Sequence, residues 1–97
     1  MHHLAPSETL VTGEWIVVGG QIAADEACKR IDELIAEHLV ELGHATWATL
    51  YLDPNDGRLW ERVFPKGHMH GAGPPQLQWI TQEEAERKYG EEIARKK

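Results

Sequence analysis

Residues 47–80 decide the fold of this chain. They read Trp-Ala-Thr-Leu-Tyr-Leu (47–52), Asp-Pro-Asn-Asp-Gly (53–57), Arg-Leu-Trp-Glu-Arg-Val-Phe-Pro (58–65), Lys-Gly-His-Met-His-Gly-Ala-Gly-Pro-Pro (66–75) and Gln-Leu-Gln-Trp-Ile (76–80). Two strand-like runs flank a turn, in which proline pre-sets one φ angle and glycine accepts a positive one. The Gly-Pro-Pro segment is stiff and extended. The stretch therefore predicts a β-hairpin, a loop and a third strand.

The turn also predicts how the two strands pair. In the register that it favours, Tyr51 lies opposite Trp60, and Trp47 lies opposite Phe64. Because side chains alternate along a strand, both faces are then largely apolar, with Glu61 as the polar exception on one of them. We expect the first helix to cover one face, and the N-terminal strands, the C-terminal helix or a partner to cover the other. The Tyr51–Trp60 pair is thus either core or part of a binding surface.

Two short strands are predicted nearer the N-terminus. Residues 14–18 are rich in aromatic and β-branched side chains, and the Gly19-Gly20 pair is typical of a tight turn. Residues 21–23 then return as a second strand. Residues 1–12 are polar and lack periodicity, so we expect a flexible or loosely docked arm.

A long helix is predicted at residues 25–42. Asp25 is a good N-cap, apolar residues recur at helical spacing, and Gly43 is expected to supply a left-handed C-terminal residue. Cys28 falls on the apolar face and is expected to be inert core. The other face is either a solvated surface or an acidic docking surface, and it carries Glu26, Lys29, Arg30, Glu33, Glu37 and Glu41.

A short helix closes the chain. Thr81 and Glu84 form a capping box, which predicts a helix at Gln82–Tyr89 that ends at Gly90. Residues 91–97 are expected to fray. The complete set of elements predicts an α+β fold with a small antiparallel sheet of about four to five strands packed against one long helix, plus the short C-terminal helix.

Composition narrows the classes of function. The 97 residues form one domain, and a single cysteine excludes an internal disulfide. The net charge of −6 argues against a nucleic-acid partner, because phosphate binding needs clustered Lys and Arg. No apolar run approaches the length of a membrane span, and no leader-like segment opens the chain. We expect a cytoplasmic monomer or homodimer with no membrane partner.

Few residues suggest catalysis or metal binding. His68 and His70 are a close histidine pair, but a metal site needs three or four ligands in fixed geometry. Asp53 and Asp56 resemble the start of a calcium loop whose later ligands are missing. We therefore expect no catalytic residue, no metal and no cofactor, although acid–base chemistry by these side chains stays an alternative.

The same stretch carries a family resemblance. The motif residues are Leu50-Tyr51-x-Asp53-Pro54-x-Asp56-Gly57-Arg58-x-Trp60-Glu61, Pro65, Met69-His70-Gly71-x-Gly73-Pro74-Pro75-x-Leu77 and Lys88-Tyr89, with Gly13-x-Trp15 and Asp25…Arg30-Ile31 before them. In these residues the chain resembles the immunity protein 27 family of bacterial polymorphic toxin systems. The resemblance implies a non-enzymatic α+β protein that binds and neutralises a cognate toxin domain by stoichiometric occlusion, and the turn and Gly-Pro-Pro residues can serve the fold instead of toxin contact.

A binding surface is proposed from charge and from the apolar hairpin. Nucleases are basic because they grip phosphate, so a nuclease-type toxin would suit an acidic inhibitor. The candidate contact residues are Glu33, Glu37, Glu41, Asp53, Asp56, Arg58 and Trp60. Two alternatives stay open: a small regulatory or structural protein-interaction domain, and a metal-dependent ligand-binding protein or enzyme that uses His68 and His70.

Overall fold

A five-stranded antiparallel sheet forms the centre of the fold. The structure is a computed structural model that describes residues 4–45, 48–65 and 73–96. Its elements in chain order are β1 (Leu10–Thr12), β2 (Trp15–Val18), β3 (Gln21–Ala24), α1 (Glu26–Glu37), β4 (Val40–Ala45), β5 (Ala48–Leu52), β6 (Leu59–Val63), β7 (Gln76–Ile80), α2 (Gln82–Tyr89) and α3 (Glu91–Ala94). The strand order in the sheet is β1-β7-β6-β5-β4, and β2 pairs with β3 in a separate two-stranded sheet. The predicted α+β class is confirmed.

The predicted register of the β5–β6 hairpin is confirmed. Tyr51 pairs with Trp60 and Leu52 with Leu59. Gly57 adopts a φ of +78°, as its place in the turn requires. The predicted pairing of Trp47 with Phe64 lies outside the described residues.

Helices cover both faces of this sheet. On one face, α1 packs Ile31 and Leu34 against Tyr51 and Trp60. On the other face, α2 and α3 bury apolar side chains against β4, β5, β6 and β7, and this cluster contains Leu42, Ala48, Leu50, Leu59, Ile80, Ala85, Tyr89 and Ala94. The sequence left the N-terminal strands, the C-terminal helix or a partner as alternatives for packing on the second face, and the structure shows that the C-terminal helices pack there.

The first helix is shorter than the sequence predicts. It ends at Glu37, and the chain then enters β4 (Val40–Ala45), which was expected to be helical up to residue 42. The apolar spacing misled because Leu39 and Leu42 continue the helical period, yet they pack in the clusters on opposite faces of the sheet. Gly43 does not end a helix either. It lies beside a bulge in β4, where a Cβ atom would come within 2.6 Å of the Ile93 side chain.

Residues 4–12 lie against the body of the protein, in contrast to the loosely docked arm that was expected. Leu4 is 1% exposed, and Val11 is buried in the same cluster. The strand β1 pairs with β7 at the sheet edge. Burial of two apolar side chains and a strand pairing together offset the entropy of ordering this segment.

The C-terminal prediction is confirmed for α2 and extended by α3. The Glu84 amide donates to Thr81 Oγ1 at 3.1 Å, and the Thr81 hydroxyl donates to Glu84 Oε1 at 3.0 Å. Gly90 ends the helix with a φ of +91°. Residues 91–94 then form a further helical turn that buries Ala94, where fraying was expected.

The β2–β3 hairpin (residues 15–24) stands apart from the five-stranded sheet. Its two-residue turn is Gly19-Gly20, and both glycines have positive φ angles, of 58° and 80°. This is the turn geometry that matches the twist of a tight hairpin. The hairpin leads directly into α1, and β3 is in contact with that helix.

Candidate functional site

Two of the predicted contact residues lie in the interior. Asp53 and Trp60 are each 0% exposed. Trp60 packs in the cluster beneath α1, together with its cross-strand partner Tyr51. The sequence left this aromatic pair as core or binding surface, and the structure places it in the core. A side chain without accessible surface supports a neighbouring surface and does not form it.

Asp53 connects the end of α1 to the β5–β6 turn. Its Oδ1 accepts a hydrogen bond from the Asn55 amide at 2.9 Å and lies 2.9 Å from Nε2 of His38. The Asp53 amide donates to the Arg58 carbonyl at 2.9 Å. A residue chosen for its place at an exposed turn therefore serves as a buried anchor.

Arg58 ties the N-terminal segment to the same turn. Its Nη1 donates to the Glu8 carbonyl at 2.5 Å and its Nη2 to the Ala5 carbonyl at 2.9 Å. Its Nε donates to Asp56 Oδ2 at 2.7 Å, and the guanidinium lies 4.9 Å from the centre of the Trp60 ring. Burial raises the pKa of Asp56, but the hydrogen bonds from Arg58 outweigh it and lower that pKa. These contacts occupy most of the donors of Arg58.

The three predicted glutamates are exposed but do not share one helix. Glu33 and Glu37 lie on the outer side of α1. Glu41 lies on the edge strand β4, which corrects its placement on the helix. It pairs with Tyr51, so its side chain lies on the sheet face that α1 covers. Carboxylates from two elements thus contribute to the acidic side of the molecule.

Glu61 forms a buried polar network that the sequence noted only as an exception in an apolar face. Its side chain accepts hydrogen bonds from the Tyr89 hydroxyl at 2.7 Å and from Gln78 Nε2 at 2.9 Å, and Lys88 Nζ lies 2.5 Å away. Burial raises the pKa of Glu61, but these partners outweigh it and lower the pKa. Burial beside Glu61 also raises the pKa of Tyr89. The motif pair Lys88-Tyr89 was the signal that could have revealed this contact.

A cavity of about 310 Å³ opens beside this network. Its lining residues are Glu61, Gln78, Ile80, Glu84, Arg87 and Lys88. Glu61 already has three partners within the protein. Glu61 therefore connects β6 to α2, and this connection explains why a carboxylate lies in the otherwise apolar face of the β5–β6 hairpin.

The close packing of Gly13 against Cys28 and Pro75 explains the glycine of the Gly-x-Trp motif. A Cβ atom on Gly13 would lie 2.5 Å from Cys28 Sγ and 2.7 Å from the Pro75 carbonyl oxygen. The Gly13 amide donates to that same oxygen at 2.8 Å. Burial raises the pKa of the Cys28 thiol, which fits the inert core cysteine that was predicted.

Within residues 4–45, 48–65 and 73–96, no three His, Cys, Asp or Glu side chains lie close enough together to hold a metal ion. His68 and His70, the predicted alternative ligands, lie outside the described residues. In the same described ranges, no helix is long and apolar enough to cross a membrane.

The β2–β3 hairpin presents an apolar surface that the sequence did not single out. Val17 and Ile22 are each 74% exposed, and Trp15 is 48% exposed. Trp15 pairs with Ala24 and Val17 pairs with Ile22, so these four side chains share one face. The sequence signal for this surface was the run Trp-Ile-Val-Val at residues 15–18. A strand with one face in solvent alternates apolar and polar residues, whereas this run is apolar at every position.

The fold defines a small α+β protein in which Asp53, Arg58 and Glu61 bind other parts of the same chain. The chain belongs to the immunity protein 27 family, because the model of that family matches residues 17–81, about two thirds of the chain. This finding confirms the resemblance seen in the sequence. No match was found among curated proteins or among solved structures. The family points to a toxin-neutralising immunity function.

Proposed function

We propose that this protein binds a cognate toxin domain of a polymorphic toxin system and neutralises it by stoichiometric occlusion. The family match over residues 17–81 carries this proposal. An inhibitor of this kind needs a complementary surface and no turnover, so no cofactor enters the mechanism. The producing cell is protected for as long as the complex persists.

Charge supports a basic toxin, of which nucleases are one class. The chain has a net charge of −6, and residues 25–41 contain six acids against two bases. Glu33, Glu37 and Glu41 are exposed on the same side of the sheet. Complementary charge speeds the encounter of two proteins, and fast capture is what a protective inhibitor needs.

The proposed contact set changes after burial is considered. Glu33, Glu37, Glu41 and Asp56 remain candidates for direct contact, because each has exposed surface. Asp53 and Trp60 are buried and are assigned a supporting role. Arg58 belongs with them, since its guanidinium holds the segment before β1.

Co-expression with the protein domain encoded directly upstream tests the proposal. We expect a one-to-one complex in size-exclusion chromatography and rescue of growth when that domain is toxic. If the domain is toxic and this protein neither binds it nor restores growth, immunity to that toxin is rejected.

Charge reversal tests the acidic surface in the same complex. The variant Glu33→Lys/Glu37→Lys should raise the Kd by roughly 10-fold or more at low salt, and Glu41→Lys tests β4 separately. The matched control is Glu91→Lys/Glu92→Lys, which makes the same charge change on the exposed part of α3. Equal affinities for the α1 variant and the control would remove α1 from the interface.

A further inference from the structure

We propose that the β2–β3 hairpin is the apolar centre of the toxin-binding surface, and that it docks on an apolar patch rimmed by basic residues on the toxin domain. This inference rests on the proposed immunity function and names the surface that performs it. Four observations support it: exposure, separation from the core, charge around the hairpin, and the chemistry of its side chains.

One face of the hairpin is apolar throughout. It is formed by Trp15, Val17, Ile22 and the partly buried Ala24, and Val17 and Ile22 are each 74% exposed. On the other face, Ile16 and Val18 are exposed as well. Contiguous exposed apolar surface on a small protein marks an interaction site, whereas scattered single residues do not. Tryptophan is also among the residues that most often dominate binding energy at protein interfaces.

The hairpin gains little from the rest of the fold. In the part of the chain that the structure describes, its two strands pair with each other and not with the five-stranded sheet. Among the same residues, neither of the two buried clusters contains a side chain of β2 or β3. An isolated two-stranded hairpin is marginally stable in water, so burial against a partner would supply the missing packing.

Acidic groups surround the base of the hairpin. Glu14 lies directly before the hairpin, and Asp25 and Glu26 lie directly after it. Glu14 and Glu26 are exposed, and Glu26 lies 3.6 Å from the ammonium group of Lys29. A hydrogen bond from the Cys28 amide lowers the pKa of Asp25, so its carboxylate stays ionised. The outer side of α1, with Glu33, continues this acidic border. An apolar centre with a charged rim is the usual anatomy of a protein–protein interface.

This charge pattern favours a basic partner over a second copy of the chain. Two copies docked through their hairpins would bring two acidic borders together, each from a chain of net charge −6. Like charges placed face to face disfavour association, whereas a basic rim on a toxin would be attracted.

The test measures binding of the purified toxin domain encoded upstream to the full chain and to two variants. The variant Val17→Ser/Ile22→Ser removes apolar surface from the hairpin. The control Val40→Ser removes one exposed valine (48% accessible) from β4, at the opposite edge of the sheet from β1. We expect the hairpin variant to raise the Kd by roughly 30-fold or more, and the control by less than about 3-fold.

Hydrogen exchange of the unmutated chain gives a second readout that does not depend on the folding of a variant. The amides of residues 15–24 should become protected when the toxin is added. If the toxin binds tightly, but the Kd of the hairpin variant and the exchange rates of these amides do not change, the hairpin proposal is overturned and the immunity proposal stands. Absence of binding by the unmutated chain would overturn both proposals. A toxin-free dimer that the Val17→Ser/Ile22→Ser variant dissociates would show that a second copy occupies the hairpin, and would also overturn the proposal.

Discussion

Individual polar residues of the β5–β6 hairpin act mainly inside the protein. Asp53 accepts a hydrogen bond from the turn, Arg58 holds the segment before β1, and Glu61 joins β6 to α2. Asp53 and Glu61 are buried and Arg58 is half-buried, so the hydrogen-bond partners of these polar side chains must compensate the cost of desolvation. Loss of one partner therefore costs more than an exposed ion pair would.

The Glu61 network should be a large local contributor to stability. Glu61→Ala would leave the Tyr89 hydroxyl and the Lys88 ammonium without their shared acceptor, so we expect a loss of about 2–4 kcal/mol in the free energy of unfolding. Urea denaturation measures it. Glu83→Ala is the control, because Glu83 is 88% exposed and 3.8 Å from Arg87. It should cost under about 0.5 kcal/mol. A comparable loss in both variants would contradict the assigned role.

Glu8 should make stability depend on acid pH. Its hydrogen bonds with Arg30 are the main reason that its pKa falls from 4.5 to about 2. A carboxylate with a lowered pKa stabilises the folded state above pH 4.5, and this contribution is lost as the pH falls toward 2. Because about a quarter of the side chain is exposed, we expect roughly 1–2 kcal/mol after solvent screening.

The difference between the unmutated chain and Glu8→Gln isolates this effect from other carboxylates. That difference in unfolding free energy should be present at neutral pH and shrink toward zero as the pH approaches 2. A difference that is constant with pH would show that the Glu8–Arg30 contact does not depend on the charge of Glu8.

At the scale of elements, contacts distant in sequence hold the edges of the sheet. The edge strand β1 pairs with β7, and Arg58 from the β5–β6 turn holds the segment that precedes β1. The other edge, β4, is covered by α2 and α3. Gly43 in β4 and Ile93 in α3 meet there, so closely that the strand has no room for a Cβ atom. This contact packs α3 (Glu91–Ala94) against the edge of the sheet.

A double-mutant cycle tests the contact between β4 and α3. Gly43→Ala should destabilise the protein by about 1–3 kcal/mol, because its methyl group would overlap the Ile93 side chain. Ile93→Ala should remove that overlap, so the double variant should lose clearly less than the sum of the two single losses. Thermal unfolding of all four proteins measures the coupling. If the loss in the double variant equals the sum of the two single losses, the Gly43→Ala methyl group does not overlap the Ile93 side chain.

At the scale of the whole molecule, the exposed glutamates of α1 and β4 lie on the side of the sheet that α1 covers, and the β2–β3 hairpin contacts α1 through β3. The acidic groups of α1 follow the hairpin directly in sequence, and Glu41 faces the same side from β4. The elements on the opposite side, α2 and α3, have nearly balanced charge, since residues 82–96 contain five acids and four bases. Because of this asymmetry, we expect a basic toxin to dock on the side that α1 covers.

Salt should slow toxin capture more than it speeds release. Long-range attraction between an acidic inhibitor and a basic toxin is screened within about 10 Å at 0.1 M salt, while apolar contacts at the hairpin persist. We expect the association rate constant to fall roughly 10-fold or more between low and high salt, with a smaller change in the dissociation rate constant. Stopped-flow or surface-based kinetics measures both. An association rate independent of salt would remove the electrostatic part of the proposal.

The local elements were predictable because their signals lie in neighbouring residues. The β5–β6 register followed from one turn, and α2 followed from a capping box and a terminal glycine. The motif residues were specific enough to indicate the family, and the family match confirms them. The candidate contacts were chosen by charge and position in sequence alone, so the set mixed exposed glutamates with the buried Asp53 and Trp60.

The sequence by itself determined the α+β class, the hairpin register, the N-cap of α1, both caps of α2, and the family. Tertiary structure decided where α1 stops, because Leu39 and Leu42 satisfy a helical period but pack on opposite faces of a sheet. It also decided which polar residues are buried, because Glu61 meets Tyr89 and Lys88 only once α2 folds back over β6. Burial and partnership depend on residues far apart in the chain, and local pattern contains no information about which of them will meet.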